Sequence, residues 1–229
     1  MKDLDVENGG EICRIEWADP KKIRARKVVR RSNARVTYKY PGLKACRMMQ
    51  AESALERDNL RLHDVDPFVG SATEQPARLV FWMDGVLREH YPDLFVETPL
   101  GGVFREVKSD DEMEDPYIKR RAQYLADVLP MIGYRYELIG EAEIRREPRL
   151  SNATFLLKFG RNPVDFIDQE RIRRIISDAG IITWGEILSG YLGDKSVHMA
   201  CRLIIEGILA IDIEAVWGHN TPVSMAGGR

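Results

Sequence analysis

The sequence predicts an α/β fold. A helix, three or four antiparallel strands, a second helix and a further strand form one compact core, and a smaller unit of three helices and a β element follows. Three observations predict this. Short β-type apolar runs are punctuated by turn residues, first Asp84-Gly85 and then Pro99, Gly101 and Gly102. Helical periodicity precedes and follows that meander. Beyond residue 160 the pattern becomes helical, with Gly180 as a stop and Thr183 and Asp194 as caps.

Taken in order, residues 1–19 read as a polar lead-in. Glu52 to His63 reads as a helix, with Leu55 and Leu62 at heptad spacing and Glu52 and Glu56 sharing another face. Arg78 to Met83 and Val86 to Tyr91 are strands joined at Asp84-Gly85, a strong two-residue hairpin signal. Leu94 to Val96 and Val103 to Lys108 continue the meander. Pro116 to Leu129 is a helix with proline in its first turn, and Tyr134 to Ile139 is a strand. Residues 141–162 read as a charged connector broken by Pro148 and Pro163. Phe166 to Ala179, a helix from Trp184 capped by Thr183, a helix through Val197 to Ile205 capped by Asp194, and a strand-like Ile208 to Ile213 complete the chain. Three helices and a β element are the outline of a winged-helix domain, with Lys195, His198 and Arg202 outward on its third helix. The organisation is a basic arm and lead-in over 1–50, an α/β core over 51–145, and a connector with the winged-helix-like domain over 146–229.

The chain has 229 residues, of which 44% are hydrophobic and 31% charged, as in soluble globular proteins. No apolar run approaches the roughly 20 residues that span a bilayer, and the acidic N-terminus has no signal-peptide core. Cys13, Cys46 and Cys201 are scattered and odd in number, which suggests neither a disulfide framework nor a zinc site and fits a reducing cytoplasm. A phosphate-binding Gly-x-x-x-x-Gly-Lys loop is absent, which argues against ATP hydrolysis. The net charge of −2 conceals an asymmetry: Pro20 to Ala51 holds eleven Lys or Arg and no Asp or Glu. That block, Lys21, Lys22, Arg24, Arg26, Lys27, Arg30, Arg31, Arg35, Lys39, Lys44 and Arg47, interleaved with Tyr38 and Tyr40, has the composition of a nucleic-acid backbone contact.

The chemistry concentrates between Tyr91 and Lys108. Side chains alternate along a strand, so Glu106 and Lys108 point the same way, and a hairpin turn brings Asp93 towards both. Mg²⁺ takes oxygen ligands and keeps several waters, so Asp93, Glu106, the carbonyl of Val107 and, from the preceding helix, Glu56 are its candidate ligands. A bound metal polarises a phosphate and lowers the pKa of its water, and Lys108 is placed to orient water or stabilise transition-state charge. His63, His90, His198 and His219 do not cluster, and no Ser-His-Asp or Cys-His arrangement competes.

Glu52 to Asp58, Asp66-Pro67, Glu74-Gln75-Pro76, Tyr91-Pro92-Asp93 and Glu106-Val107-Lys108 together resemble the TnsA-type transposase endonuclease subunit, over roughly residues 20–140. The resemblance implies a restriction-endonuclease-like fold of the PD-(D/E)xK type, a mixed sheet flanked by helices. It implies a Mg²⁺-dependent endonuclease, with Mn²⁺ substituting, that cuts the non-transferred strand at the 5′ transposon ends. Water attack would leave a 5′-phosphate and a 3′-hydroxyl. Glu56 matches the helix acid, Asp93 the central metal ligand and Lys108 the catalytic lysine, while Glu106 stands where some members have Gln. Gln75 matches a position with a structural role. The implied partners are DNA, an integrase-like TnsB-type transposase and a TnsC-type ATPase regulator, with no membrane, in a bacterial cytoplasm at the nucleoid. The residues alone leave two other readings: a stand-alone repair or restriction nuclease, and a non-catalytic DNA-binding or assembly module.

Overall fold

The structure, a computed structural model, describes residues 4–5, 12–19, 24–25 and 37–227. The chain divides into two units. The first comprises residues 1–60 and 68–144, the second residues 61–67 and 145–229.

The first unit is mixed α/β. Its elements run β1 (Leu4–Asp5), β2 (Ile12–Trp17), β3 (Tyr38–Gly42), β4 (Arg47–Ala51), α1 (Ala54–Val65, whose last turn counts with the second unit), β5 (Ser71–Glu74), β6 (Ala77–Met83), β7 (Val86–His90), β8 (Leu94–Thr98), β9 (Gly101–Lys108), α2 (Asp110–Met113), α3 (Pro116–Val128), β10 (Tyr134–Gly140) and α4 (Glu141–Ile144). One sheet has the order β1-β2-β6-β7 and is antiparallel. The other has the order β10-β9-β8-β5 and is mixed, with β9 and β10 parallel and the remaining pairs antiparallel. The β6–β7 hairpin turns at Asp84 and Gly85, with φ of 57° and 70°, the left-handed pair that an Asp-Gly hairpin turn requires.

The two sheets are joined through two short connections. Only Gln75 and Pro76 separate β5 from β6, and only Tyr91, Pro92 and Asp93 separate β7 from β8. β6 pairs with β7 in one sheet, Leu79 opposite His90, and β5 pairs with β8 in the other, Glu74 opposite Leu94. Both strands therefore turn one corner together. Gln75 makes the bend with φ of 45°, an unfavourable value for a residue with a Cβ. Its backbone is satisfied there: its N–H donates to the Asp93 carbonyl at 2.9 Å, and its carbonyl accepts from the Ala25 N–H at 2.9 Å.

Between the sheets lies an aromatic core. Ile15, Leu79 and Phe81 of one sheet meet Phe95, Phe104 and Tyr136 of the other, with Ala122 and Leu125 of α3. Trp17 closes it, its ring centroid 5.0 Å from that of Phe95 and 5.5 Å from that of Phe104. Burying each large apolar side chain contributes roughly 1.5–3 kcal/mol. A second cluster joins Tyr40, Met49 and Ala51 of the β3–β4 ribbon to Leu60 of α1 and to Ala72, Leu94 and Val96 of the mixed sheet. The mixed sheet is thus flanked by helices, α3 packing with the aromatic core and α1 with the second cluster.

In the second unit, α5 (Arg149–Phe159), α6 (Phe166–Ala179), α7 (Trp184–Leu188) and α8 (Ser196–Ile205) accompany an antiparallel sheet ordered β11 (Ile181–Thr183), β13 (Pro222–Met225), β12 (Leu209–Ala210). Thr183 caps α7 in a reciprocal box with Glu186, and Gly180 ends α6 at φ 75°.

Five readings of the sequence change. The lead-in contains β2, recruited because Ile15 and Trp17 supply core surface. The end of the basic block is the β3–β4 ribbon, and Tyr40 is core rather than nucleic-acid-facing. The connector contains α5, whose Asn152, Ala153, Leu156 and Leu157 are buried while Phe155 packs edge-on against Trp184 and Trp217. Burial on several sides erases the single apolar stripe that would have marked it. The N-cap of α8 is Lys195, not Asp194, and makes no side-chain capping bond. Strand-like Ile208 to Ile213 shortens to β12 because Asp212 turns the chain, its Oδ1 accepting from the Glu214 N–H at 2.9 Å.

Candidate functional site

The corner between the sheets assembles the site, since Asp93 is its last residue before β8. With no ladder partner left at this point, the Asp93 side chain takes the place of a main-chain acceptor: Oδ2 accepts from the Val107 N–H at 2.9 Å. Glu56 arrives from the first turn of α1. Ser53 caps that turn, its Oγ accepting from the Glu56 N–H at 3.0 Å, while Glu56 Oε2 accepts from the Glu52 N–H at 2.9 Å. Glu56, Asp93 and Val107 line one narrow cleft with Asn59 and Glu74. Asn59 lies three residues beyond Glu56, on the same face of α1, and is 3% exposed.

The electrostatics of this cleft are unbalanced. Burial, then the neighbouring charge of Glu56, push the Asp93 carboxyl up to about 7 against the pull of the Val107 N–H and Lys108. Part of Asp93 still faces solvent, which tempers the crowding. Glu56 is raised as well, by burial first. Two carboxylates crowd a half-buried place, and Lys108 acts on both through its charge.

Glu106 and Lys108 follow each other on the same face of β9, as strand alternation expects. Glu106 is 2% exposed and fully engaged. Its Oε1 accepts from Arg121 Nη2 at 2.6 Å and lies 3.2 Å from Lys108 Nζ. Its Oε2 accepts a short hydrogen bond from the Tyr136 hydroxyl and lies 3.2 Å from His90 Nε2. Burial alone would raise its pKa, but the contact with His90, the charge of Arg121 and the Tyr136 hydroxyl hold it well below the usual carboxylate range. Burial keeps the His90 pKa below its usual value, so the imidazole serves as a neutral hydrogen-bond partner at pH 7. Burial works against the charged form of Lys108, but Glu106 and Asp93 outweigh it and raise its pKa.

Glu56, Asp93, Glu106 and Lys108 are therefore brought into one electrostatic neighbourhood, but Glu106 does not stand free beside Asp93. Among the described residues no three or more His, Cys, Asp or Glu side chains are grouped to hold a metal. Asp93 and Glu56 do suit a divalent cation. They are hard oxygen donors whose mutual repulsion a cation would relieve, and Mg²⁺ is content with one or two carboxylates plus phosphate oxygens and water.

The structure describes the basic block only in part. Lys21, Lys22, Arg26, Lys27, Arg30, Arg31 and Arg35 lie outside the described residues. Arg24 is not a free phosphate contact: its Nε and Nη2 donate to Glu74 Oε1 at 2.8 and 2.5 Å, and Arg47 Nη1 and Nη2 donate to Oε1 and Oε2 at 2.7 and 2.5 Å. Burial would raise the pKa of Glu74, but the two arginines hold it down. Lys39 is exposed on the β3–β4 ribbon and Lys44 is half-buried at its turn. In the second unit Lys195 is exposed, whereas Arg202 donates to Glu206 Oε1 at 2.6 Å and to the Arg161 carbonyl at 3.1 Å. Gln75 is structural at the corner, its Nε2 donating to Glu52 Oε1 at 3.1 Å.

Sequence reasoning missed Asn59, Glu74, Arg121 and Tyr136. Only Asn59 carried a local signal, its spacing from Glu56. The other three reach their places through tertiary packing. No protein-family model matches this sequence, and no curated protein matches it at a significant level.

Proposed function

We propose that this chain is a divalent-metal-dependent DNA endonuclease, and that it serves as a TnsA-type subunit cutting the non-transferred strand at the 5′ ends of a transposon. The observation that carries the reading is the crowding of Glu56 and Asp93 at the sheet corner within reach of the Lys108 charge. A structural carboxylate is ordinarily satisfied; a pair left under-neutralised in a cleft suits cation binding. Asp93 and Glu56 would hold Mg²⁺ or Mn²⁺, which when bound supplies Lewis acidity and a lowered water pKa. Lys108 stays protonated and offers its ammonium to the scissile phosphate, stabilising charge as it develops. The Val107 N–H keeps Asp93 aimed into the cleft.

The mixed sheet flanked by α1 and α3 is compatible with a restriction-endonuclease-like core. The order helix, strand, two helices, two strands, with β13 between β11 and β12, supports a winged-helix reading of the second unit. There α8 takes the position of a recognition helix, with Lys195 and His198 exposed at its start. An integrase-like TnsB-type transposase and a TnsC-type regulator are the partners this role calls for.

The test is a cleavage assay on supercoiled DNA bearing transposon ends, with Mg²⁺ or Mn²⁺ and an integrase-like partner. Nicking at the 5′ ends, lost in Asp93→Ala and Lys108→Ala, supports the reading. Cleavage unchanged by both substitutions would sink it, and metal-dependent nicking independent of partner and ends would point to a stand-alone nuclease. Retained DNA binding without any cleavage would favour an assembly module.

A further inference from the structure

Glu106 occupies the position from which a second metal-binding carboxylate would be drawn, yet its surroundings describe another task. A carboxylate offers about four lone-pair sites. Four groups surround this one: Arg121 Nη2 at 2.6 Å and Lys108 Nζ at 3.2 Å on Oε1, the Tyr136 hydroxyl and His90 Nε2 on Oε2. His90 Nε2 also lies 3.0 Å from the Tyr136 hydroxyl, which closes the cluster on itself. The members come from three strands and a helix, β7, β9, β10 and α3, so packing fixes each independently.

We propose that Arg121, Tyr136 and His90 form a positioning cluster around Glu106, that Glu106 thereby fixes the Lys108 ammonium, and that Glu106 is not a ligand of the metal. Turning Glu106 towards a cation would abandon Arg121, whose side chain is 12% exposed and whose Nε already has no partner among the described residues. A buried guanidinium stripped of its carboxylate is costly. Strand geometry separates the two tasks. Glu106 and Lys108 share their face of β9 with Phe104, packed in the core beside α3, whereas Val107, Asp93 and Glu56 line the cleft beside α1. Lysine carries four rotatable carbons and a point charge, so it aims poorly unless held, and Glu106 supplies the hold. Arg121 is itself steadied, its guanidinium 5.5 Å from the Tyr117 ring centroid.

This assignment rests on the nuclease reading, and one set of measurements separates the two. Mn²⁺ binding to the DNA-free full chain is measured by calorimetry for wild type, Asp93→Asn, Glu106→Gln and Tyr136→Phe, alongside thermal unfolding and steady-state cleavage. Asp93→Asn should weaken Mn²⁺ binding at least about tenfold, while Glu106→Gln leaves it within about twofold. Tyr136→Phe, which removes one hydroxyl and keeps the fold, should lower kcat by about tenfold to a hundredfold with KM and Mn²⁺ affinity unchanged, the signature of a misplaced lysine. Equal loss of Mn²⁺ binding in Glu106→Gln and Asp93→Asn would make Glu106 a ligand and overturn the assignment while leaving the nuclease standing. Unchanged kcat in Tyr136→Phe would overturn it too. Wild-type Mn²⁺ binding in Asp93→Asn would instead bring down the nuclease reading, and the positioning role with it.

Discussion

Glu74, at the end of β5, and Asp93, just ahead of β8, line the same cleft, and their electrostatics are opposite. Glu74 is nearly sealed from solvent and receives two arginines, each through two nitrogens, so its pKa is held down. Asp93 receives one backbone N–H and faces a second acid, so its pKa climbs to about 7. Burial raises both; partners decide the outcome. A carboxylate matched with arginines pins strands together and has nothing left to offer. One left with a backbone N–H and a repelling neighbour keeps its lone pairs for a ligand. Glu106 belongs with Glu74 in this comparison, although its sequence position suggested the company of Asp93.

The comparison can be broken at either end. The largest effect is expected from Lys108→Ala, which should lower the cleavage rate by about a hundredfold to a thousandfold with a modest change in thermal midpoint. An equally large loss of stability would make Lys108 structural. Next, Glu74→Gln should destabilise the protein by about 3 kcal/mol, because two arginines lose their anion. Denaturant titration measures this, and a neutral result would mean that the clamp is dispensable. Asp93→Asn should go the other way at pH 8 without metal, stabilising by on the order of 1 kcal/mol after allowance for its partial exposure. The folded-state pKa of Asp93 lies above its unfolded value, so wild-type stability falls as pH rises from the ordinary aspartate pKa to about 7. The advantage of the Asp93→Asn variant over wild type should therefore vanish near the ordinary aspartate pKa and level off above about 7. Thermal melts across that range would reveal a flat difference if Asp93 were satisfied. The smallest effect is Ser53→Ala, which removes the cap that steadies Glu56 and should cost about 1 kcal/mol. Equilibrium unfolding of this variant detects whether the cap matters.

What could be read in advance follows from range of interaction. The β6–β7 hairpin is encoded by Asp84-Gly85, α3 by Pro116 and its stripe, the end of α6 by Gly180 and the start of α7 by Thr183, all local signals. Asp93 and Lys108 were legible as site candidates because their hairpin spacing is local too. The β3–β4 ribbon was hidden by its basic composition, and α5 by burial on several sides. The Glu74 clamp joins positions 24, 47 and 74, and the Glu106 cluster joins 90, 106, 121 and 136. No window of sequence contains either, so the satisfied carboxylates were the illegible ones.

The corner at Gln75 and Asp93 has a further consequence, for how the first unit comes apart. Two strands run through it from one sheet into the other, tied by the Gln75 N–H to the Asp93 carbonyl. The corner therefore couples the two sheets, and both are expected to open as a single cooperative unit. The amide protons of Gln75 and Val107 should then exchange with solvent at the rate of global unfolding, slower than those of the α2 turn. The place where chemistry is proposed would be among the last parts of this unit to be released, and a partly unfolded chain would carry no half-formed version of it.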